Sequence, residues 1–249
     1  MPISFCIAIV GAESTGKTTL ARQLAHELSL LHVQPRGPDA GRRVVMVPEL
    51  LREWCNAAGR TPRADEQRAI ARAQHERIGA AAATHEIVVC DTTALMTAVY
   101  SRIVFGDRSL DAAAVALHRE MSLTLLTALD LPWVGDGHQR DGPQVREPVD
   151  DALRELLHGH RIAYSVVAGR GDQRLAQALA ALAAPAMPAS ARPADRRASP
   201  AMAAAATAES QRQGLFGRLD DADADAAAPA RRWICDCCVP EAEQALSAL

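Results

Sequence analysis

Gly11-Ala-Glu-Ser-Thr-Gly16-Lys17-Thr18-Thr19 is the stretch of this chain that decides how the rest is read. It fits the pattern of a glycine, four residues, then Gly-Lys-Ser/Thr. Before it lies an apolar run over residues 4–10, and after it Gln23, Leu24, Glu27 and Leu28 recur at helical spacing. A buried strand that enters a glycine loop and leaves it as a helix is built to cradle phosphate. The glycines let the backbone curl until successive N–H groups point inward, and the helix adds the positive end of its dipole. Gly11, Glu13, Ser14, Thr15, Gly16, Lys17, Thr18 and Thr19 are therefore the candidate nucleotide-binding residues, with ATP or GTP as the ligand. Lys17 is expected to reach the β- and γ-phosphates, and Thr18 to ligate Mg²⁺.

Lysine and arginine together number 27, and Lys17 is the only lysine among them. Arginine serves wherever a generic cation will do. A compact ammonium on a flexible stem fits inside the loop, where a planar guanidinium would be bulkier and differently directed.

Further short, non-alternating apolar runs occupy residues 44–47, 87–90, 123–129 and 162–167, as expected for strands buried on both faces. Segments with helical periodicity cover residues 64–83, 150–158 and 173–182. Strands alternating with helices imply an α/β P-loop NTPase fold, a mostly parallel sheet of about five strands flanked by helices. The expected organisation is a P-loop domain over residues 1–182, a disordered Ala/Pro-rich linker over 183–230, and a short cysteine-containing tail over 231–249. The linker cannot bury enough apolar surface to offset its ordering entropy.

The 249 residues are 49% hydrophobic but only 3% aromatic, so the core must be built from Ala, Val, Leu and Ile. A net charge of -3 offers no broad electrostatic attraction to nucleic acid, so no such partner is expected. No run of apolar residues is long enough to cross a bilayer, and the amino terminus lacks the features of a signal peptide. The expectation is a cytoplasmic protein in a reducing compartment. Cys6, Cys55 and Cys90 sit in apolar surroundings, where a free thiol acts as a small hydrophobe.

Ile87-Val-Val-Cys-Asp91 places a carboxylate at the carboxyl end of a strand, where such an Asp can hold Mg²⁺ or its water shell. An apolar run ending in Asp also marks an ordinary strand end before a helix cap. Glu49 falls two residues beyond the run 44–47, where ligands lie in an open α/β sheet. It is a candidate acceptor binder or general base, with Arg52 following; helix-start charge is the bland alternative. The segment 136–146 carries glycines, a proline, Arg140 and Arg146, and looks like a lid whose arginines could meet a transferred phosphoryl group. Trp133 could stack on an aromatic acceptor or simply pack. The glycine turn Ala168-Gly-Arg-Gly-Asp172 follows the last apolar run.

Taken in order, Gly11 to Thr19, Val47-Pro-Glu-Leu-Leu-Arg-Glu53, Asp91-Thr-Thr and Leu131-Pro-Trp-Val-Gly-Asp-Gly137 with Arg140 and Arg146 resemble the ribosylnicotinamide kinase domain of NadR-type NAD-salvage proteins, within the P-loop kinases. The resemblance covers residues 7–182 and lacks the nucleotidyltransferase domain that those proteins carry before the kinase. It implies a Mg²⁺-dependent, ATP-using small-molecule kinase with ribosylnicotinamide as acceptor, and catalytic roles for Lys17, Glu49, Asp91, Arg140 and Arg146. It also implies acceptor binding by Glu49, Arg52 and Trp133, and a glycine turn at 168–172 lying against the adenine. A regulatory ATPase or GTPase switch, acting on a protein partner through the tail, is the alternative. In that tail Cys235, Cys237 and Cys238 could bind Zn²⁺, but the two separated ligand pairs of a structural site are missing.

Overall fold

A computed structural model of the chain describes residues 4–31, 44–134 and 143–183. Five strands form one parallel sheet: β1 (Phe5–Val10), β2 (Val44–Val47), β3 (Ile87–Asp91), β4 (Leu123–Thr127) and β5 (Ser165–Val167), in the order β2-β3-β1-β4-β5. Seven helices are seen among the described residues: α1 (Lys17–Leu31), α2 (Leu50–Ala58), α3 (Gln67–Ala82), α4 (Ala94–Phe105), α5 (Asp111–His118), α6 (Arg146–Gly159) and α7 (Asp172–Ala183).

The central strand explains why both faces are covered. Successive side chains of a strand point to opposite faces. Ile7 and Ile9 pack with Leu20, Leu24 and Leu28 of α1, Val89, Leu125 and Ala178 of α7. Val10 joins Leu126, α4 and the Val149, Leu153 and Leu157 stripe of α6 on the other face, while Cys6 meets Val88, Cys90 and Ile78 of α3. A strand packed this way on both sides reads as an unbroken apolar run, which is how the sequence presents it. Cys6, Cys55 and Cys90 are free and buried, as expected, and burial raises each thiol's pKa, Cys55 to about 11.

Every expected strand forms, although β4 stops at Thr127 and β5 begins only at Ser165. The helix expected from residue 64 starts as a 3₁₀ turn, Ala64–Glu66, with α3 proper beginning at Gln67. The sequence reading did not mark α4 or α5. Ala94 to Val99 of α4 are all buried, so the helix is apolar around most of its surface and shows no one-sided stripe. Residues 184–249, including the linker, Cys235, Cys237 and Cys238, lie outside the described residues, as do 135–142 with Arg140. Among the described residues no group of His, Cys, Asp and Glu could hold a metal by itself, and no helix is long and apolar enough to cross a membrane.

Candidate functional site

The sheet order turns at β1, which pairs with β3 on one side and β4 on the other. In open α/β sheets the crevice beyond the carboxyl ends at such a turn is where ligands bind. The glycine loop leaves β1 at this point. Gly11 has φ +149°, and a Cβ there would lie 2.1 Å from Thr127 Oγ1. Only glycine allows the loop to pass β4 so closely. Ser14 (φ 52°) and Gly16 (φ 76°) supply two further left-handed turns. Thr15 is fully buried, its hydroxyl donating to Ala12 O at 2.7 Å and meeting Thr127 Oγ1 at 2.7 Å. Lys17 Nζ lies back along the loop and donates to Ala12 O at 2.8 Å.

The helix that follows the loop meets a strand end. Thr18 Oγ1 donates to Asp91 Oδ2 at 2.6 Å, joining the first turn of α1 to the tip of β3. The other oxygen, Asp91 Oδ1, is buried without a hydrogen-bond partner. Burial first, then the charge of Glu49, raises the Asp91 pKa above its usual value; the Thr18 hydrogen bond and the charges of Lys17 and Arg52 pull it back.

Glu49 stands at the N-cap of α2 in extended conformation and accepts no cap hydrogen bond from its own helix. It pairs instead with Arg52 Nε at 3.5 Å. Glu53, one residue further, turns away to Arg77 of α3 at 2.5 Å. Gln74 of α3 fixes the start of α2 by accepting from Leu50 N at 2.7 Å. Tyr100 of α4 completes this side. Burial and the charges of Glu13 and Glu49 drive its pKa well above the usual phenol value, and its hydroxyl hydrogen-bonds Glu13. The other Glu13 oxygen, Oε2, is buried and unpartnered.

The opposite flank comes from the chain after β4. Ser14 Oγ donates to Val134 O at 2.8 Å, which ties this segment to the loop. Between Leu131 and Val134, the Trp133 indole N–H is buried with no acceptor. Arg146 opens α6 rather than standing in a loop: it is 8% exposed, and Nη1 donates to Leu131 O at 2.9 Å. Its Nε and Nη2 are buried without partners. Arg174 of α7 reaches Thr15 O, Asp130 Oδ1 and Gly169 O.

Lys17, Thr18 and Asp91 are thus brought together, with Glu49 and Arg52 facing them and Trp133 and Arg146 on the far flank. Sequence reasoning missed Tyr100, which sits in the unmarked α4, and Arg174. A detectable signal for Arg174 was present: it shares the buried face of α7 with Ala178, four residues on, where an arginine is out of place unless it has partners.

Fold and loop define the class, a P-loop nucleoside-triphosphatase fold of the α/β type. A family model described as an AAA domain matches residues 6–174, and the chain belongs to that family. No curated protein matches it in sequence. Among solved structures it is similar to a NadR protein in complex with NAD and AMP-PNP, at 20% identity and TM-score 0.54, covering 72% of this chain and 49% of that one. A NadR protein in complex with NR gives 20% identity, TM-score 0.55, and coverage of 72% and 50%. Thymidylate kinase from Ehrlichia chaffeensis gives 16% identity, TM-score 0.53, and coverage of 73% and 100%. This chain spans about half the length of the NadR structures, and at such identities the likeness is one of fold.

Proposed function

We propose that the chain is a kinase that transfers the γ-phosphoryl group of ATP to a hydroxyl of a nucleoside-like acceptor, with ribosylnicotinamide the favoured acceptor. The observation that carries this reading is the second carboxylate, Glu49, paired with Arg52 and close enough to Asp91 for its charge to act on that carboxyl. Nucleotide binding alone has no use for it. Phosphoryl transfer to a hydroxyl does, because a carboxylate must orient that hydroxyl and accept its proton. The fold likeness to the NadR and thymidylate kinase structures supports the class, and the ordered motifs over residues 7–182 support the acceptor.

Residues at the loop fit a divalent cation. Thr18 brings a hydroxyl and Asp91 a carboxylate with one buried oxygen unpartnered and too little positive charge nearby to satisfy it. Mg²⁺ bound there would neutralise charge on the phosphate oxygens. The protein's own residues do the rest. The loop N–H groups and Lys17 hold the phosphates, Lys17 exchanging its contact with Ala12 O for them. Glu49 takes the acceptor proton, and the free Nε and Nη2 of Arg146 stand ready for a phosphoryl oxygen from a fixed position on α6. Glu13, Tyr100 and Trp133 offer polar atoms to the acceptor.

Glu49→Gln tests the proposal. Transfer to ribosylnicotinamide should fall on the order of 100-fold or more, the range for a positioned general base, while ATP affinity stays within about two-fold. A fully active variant would remove Glu49 from the reaction.

A further inference from the structure

The phosphate loop has a support that its own motif does not contain. Arg174 lies on α7, 159 residues from Thr15, yet its Nη1 donates to the Thr15 carbonyl. Nη2 donates to Asp130 Oδ1 just beyond β4, and Nε donates to Gly169 O at 3.1 Å in the glycine turn after β5. Asp130 closes the figure, its second oxygen accepting from Gly169 N at 2.5 Å. Arg174 as a whole is only 4% exposed. One planar guanidinium therefore ties together three loops at the carboxyl edge of the sheet.

The Thr15 contact has a directional consequence. No peptide bond among the described residues is cis, so the Thr15 carbonyl and the Gly16 N–H point in opposite directions across one rigid plane. A donor that holds the carbonyl on the α7 side turns the Gly16 N–H to the other side. Gly16 has no Cβ to resist rotation of that plane, and its φ of 76° belongs to a conformation with few internal restraints. Without an external anchor the plane could flip, and one donor would leave the phosphate cradle. A lysine cannot replace the arginine, because its point charge does not present three N–H groups in a fixed fork.

We propose that Arg174 is a positioning residue which, braced by Asp130, aims the Gly16 N–H into the phosphate site and locks the loop after β5 in register with it. Substrate never touches it. Its effect falls on nucleotide affinity through the peptide plane it holds, and the proposal rests on the phosphate-binding part of the function proposed above. The exposed end of the brace is Asp130, which is 34% exposed and keeps the buried guanidinium neutralised.

The test is calorimetric titration of a nonhydrolysable ATP analogue with Mg²⁺ into the full chain, its Arg174→Lys variant and its Asp130→Asn variant, with melting curves to confirm folding. The Lys variant should bind ten-fold or more weakly, the Asn variant should weaken in the same direction, and an Arg174→Ala variant should recover affinity when millimolar methylguanidinium is added. A role confined to stability would shift the melting curves without guanidinium-dependent recovery. Affinity within two-fold of the parent in Arg174→Lys, or in Asp130→Asn should the first not fold, overturns the brace alone. A parent chain that binds no analogue overturns both the brace and the phosphate-site reading beneath it.

Discussion

Replacing Gly11 by alanine sets a single methyl group against β4. The added Cβ would stand 2.1 Å from Thr127 Oγ1 and 3.1 Å from Thr127 O, at a φ of +149°. The hydroxyl must swing away, and its single proton, shared between Thr15 Oγ1 at 2.7 Å and Val10 O at 3.2 Å, loses both acceptors. That buried hydrogen bond is worth about 1 kcal/mol, and the unfavourable backbone adds about 1–3 kcal/mol. The total, about 2–4 kcal/mol, is a large part of the stability of an ordinary domain. Urea unfolding of Gly11→Ala, Thr127→Ala and the double variant measures it. Thr127→Ala removes the clashing oxygen, so Gly11→Ala should cost about 1 kcal/mol less in that background, the share assigned to the hydroxyl. A cost below about 1 kcal/mol, or an equal cost in both backgrounds, would refute the close approach of loop and strand as the reason for this glycine.

His118 lies 1% exposed between Thr93 Oγ1 at 2.8 Å and Thr124 Oγ1 at 2.9 Å, and burial lowers its pKa from 6.5 to about 4. A histidine with a depressed folded pKa stabilises fully above the unfolded value and loses that contribution as pH falls toward the folded one, because the unfolded chain then binds the extra proton. Acidification from pH 6.5 to 4 should therefore cost about 3 kcal/mol through this residue, and His118→Gln should flatten that part of the stability profile in denaturant titrations. Lys17→Ala should leave the melting temperature nearly unchanged, since among the described residues its ammonium has the Ala12 carbonyl as its hydrogen-bond partner. Its ATP turnover should drop on the order of 100-fold or more, as read in a coupled assay.

Parts of the site that rest on spacing were legible in the sequence, and parts that rest on packing were not. Gly11 to Thr19 carries its geometry in its residue order, and Asp91 ends an apolar run, so their meeting through Thr18 followed from the strand-loop-helix pattern. Glu49 could be placed because the short apolar run of β2 ends two residues before it, although β2 is an edge strand with only Val47 buried rather than a strand buried on both faces. Arg146 read as part of a loop because Pro143 and glycines precede it in the sequence; in fact the 3₁₀ turn Pro143–Val145 runs straight into α6, which begins at Arg146, ahead of the periodicity read from residue 150. Tyr100 was hidden in a helix buried on nearly every side, which erases the amphipathic stripe that marks a surface helix. Arg174 left a trace in its place on the face of α7 that carries Ala178, but its partner Thr15 lies 159 residues away, and no local pattern names that contact.

The central claim is acceptor-dependent phosphoryl transfer, and it is tested most directly by following ATP consumption with Mg²⁺, alone and with ribosylnicotinamide or a panel of nucleosides, while product is identified by mass. The account predicts turnover that requires an acceptor and yields its phosphate ester, with ribosylnicotinamide the best acceptor. Phosphate release that is indifferent to every acceptor would contradict it, and would make the chain a nucleotide hydrolase.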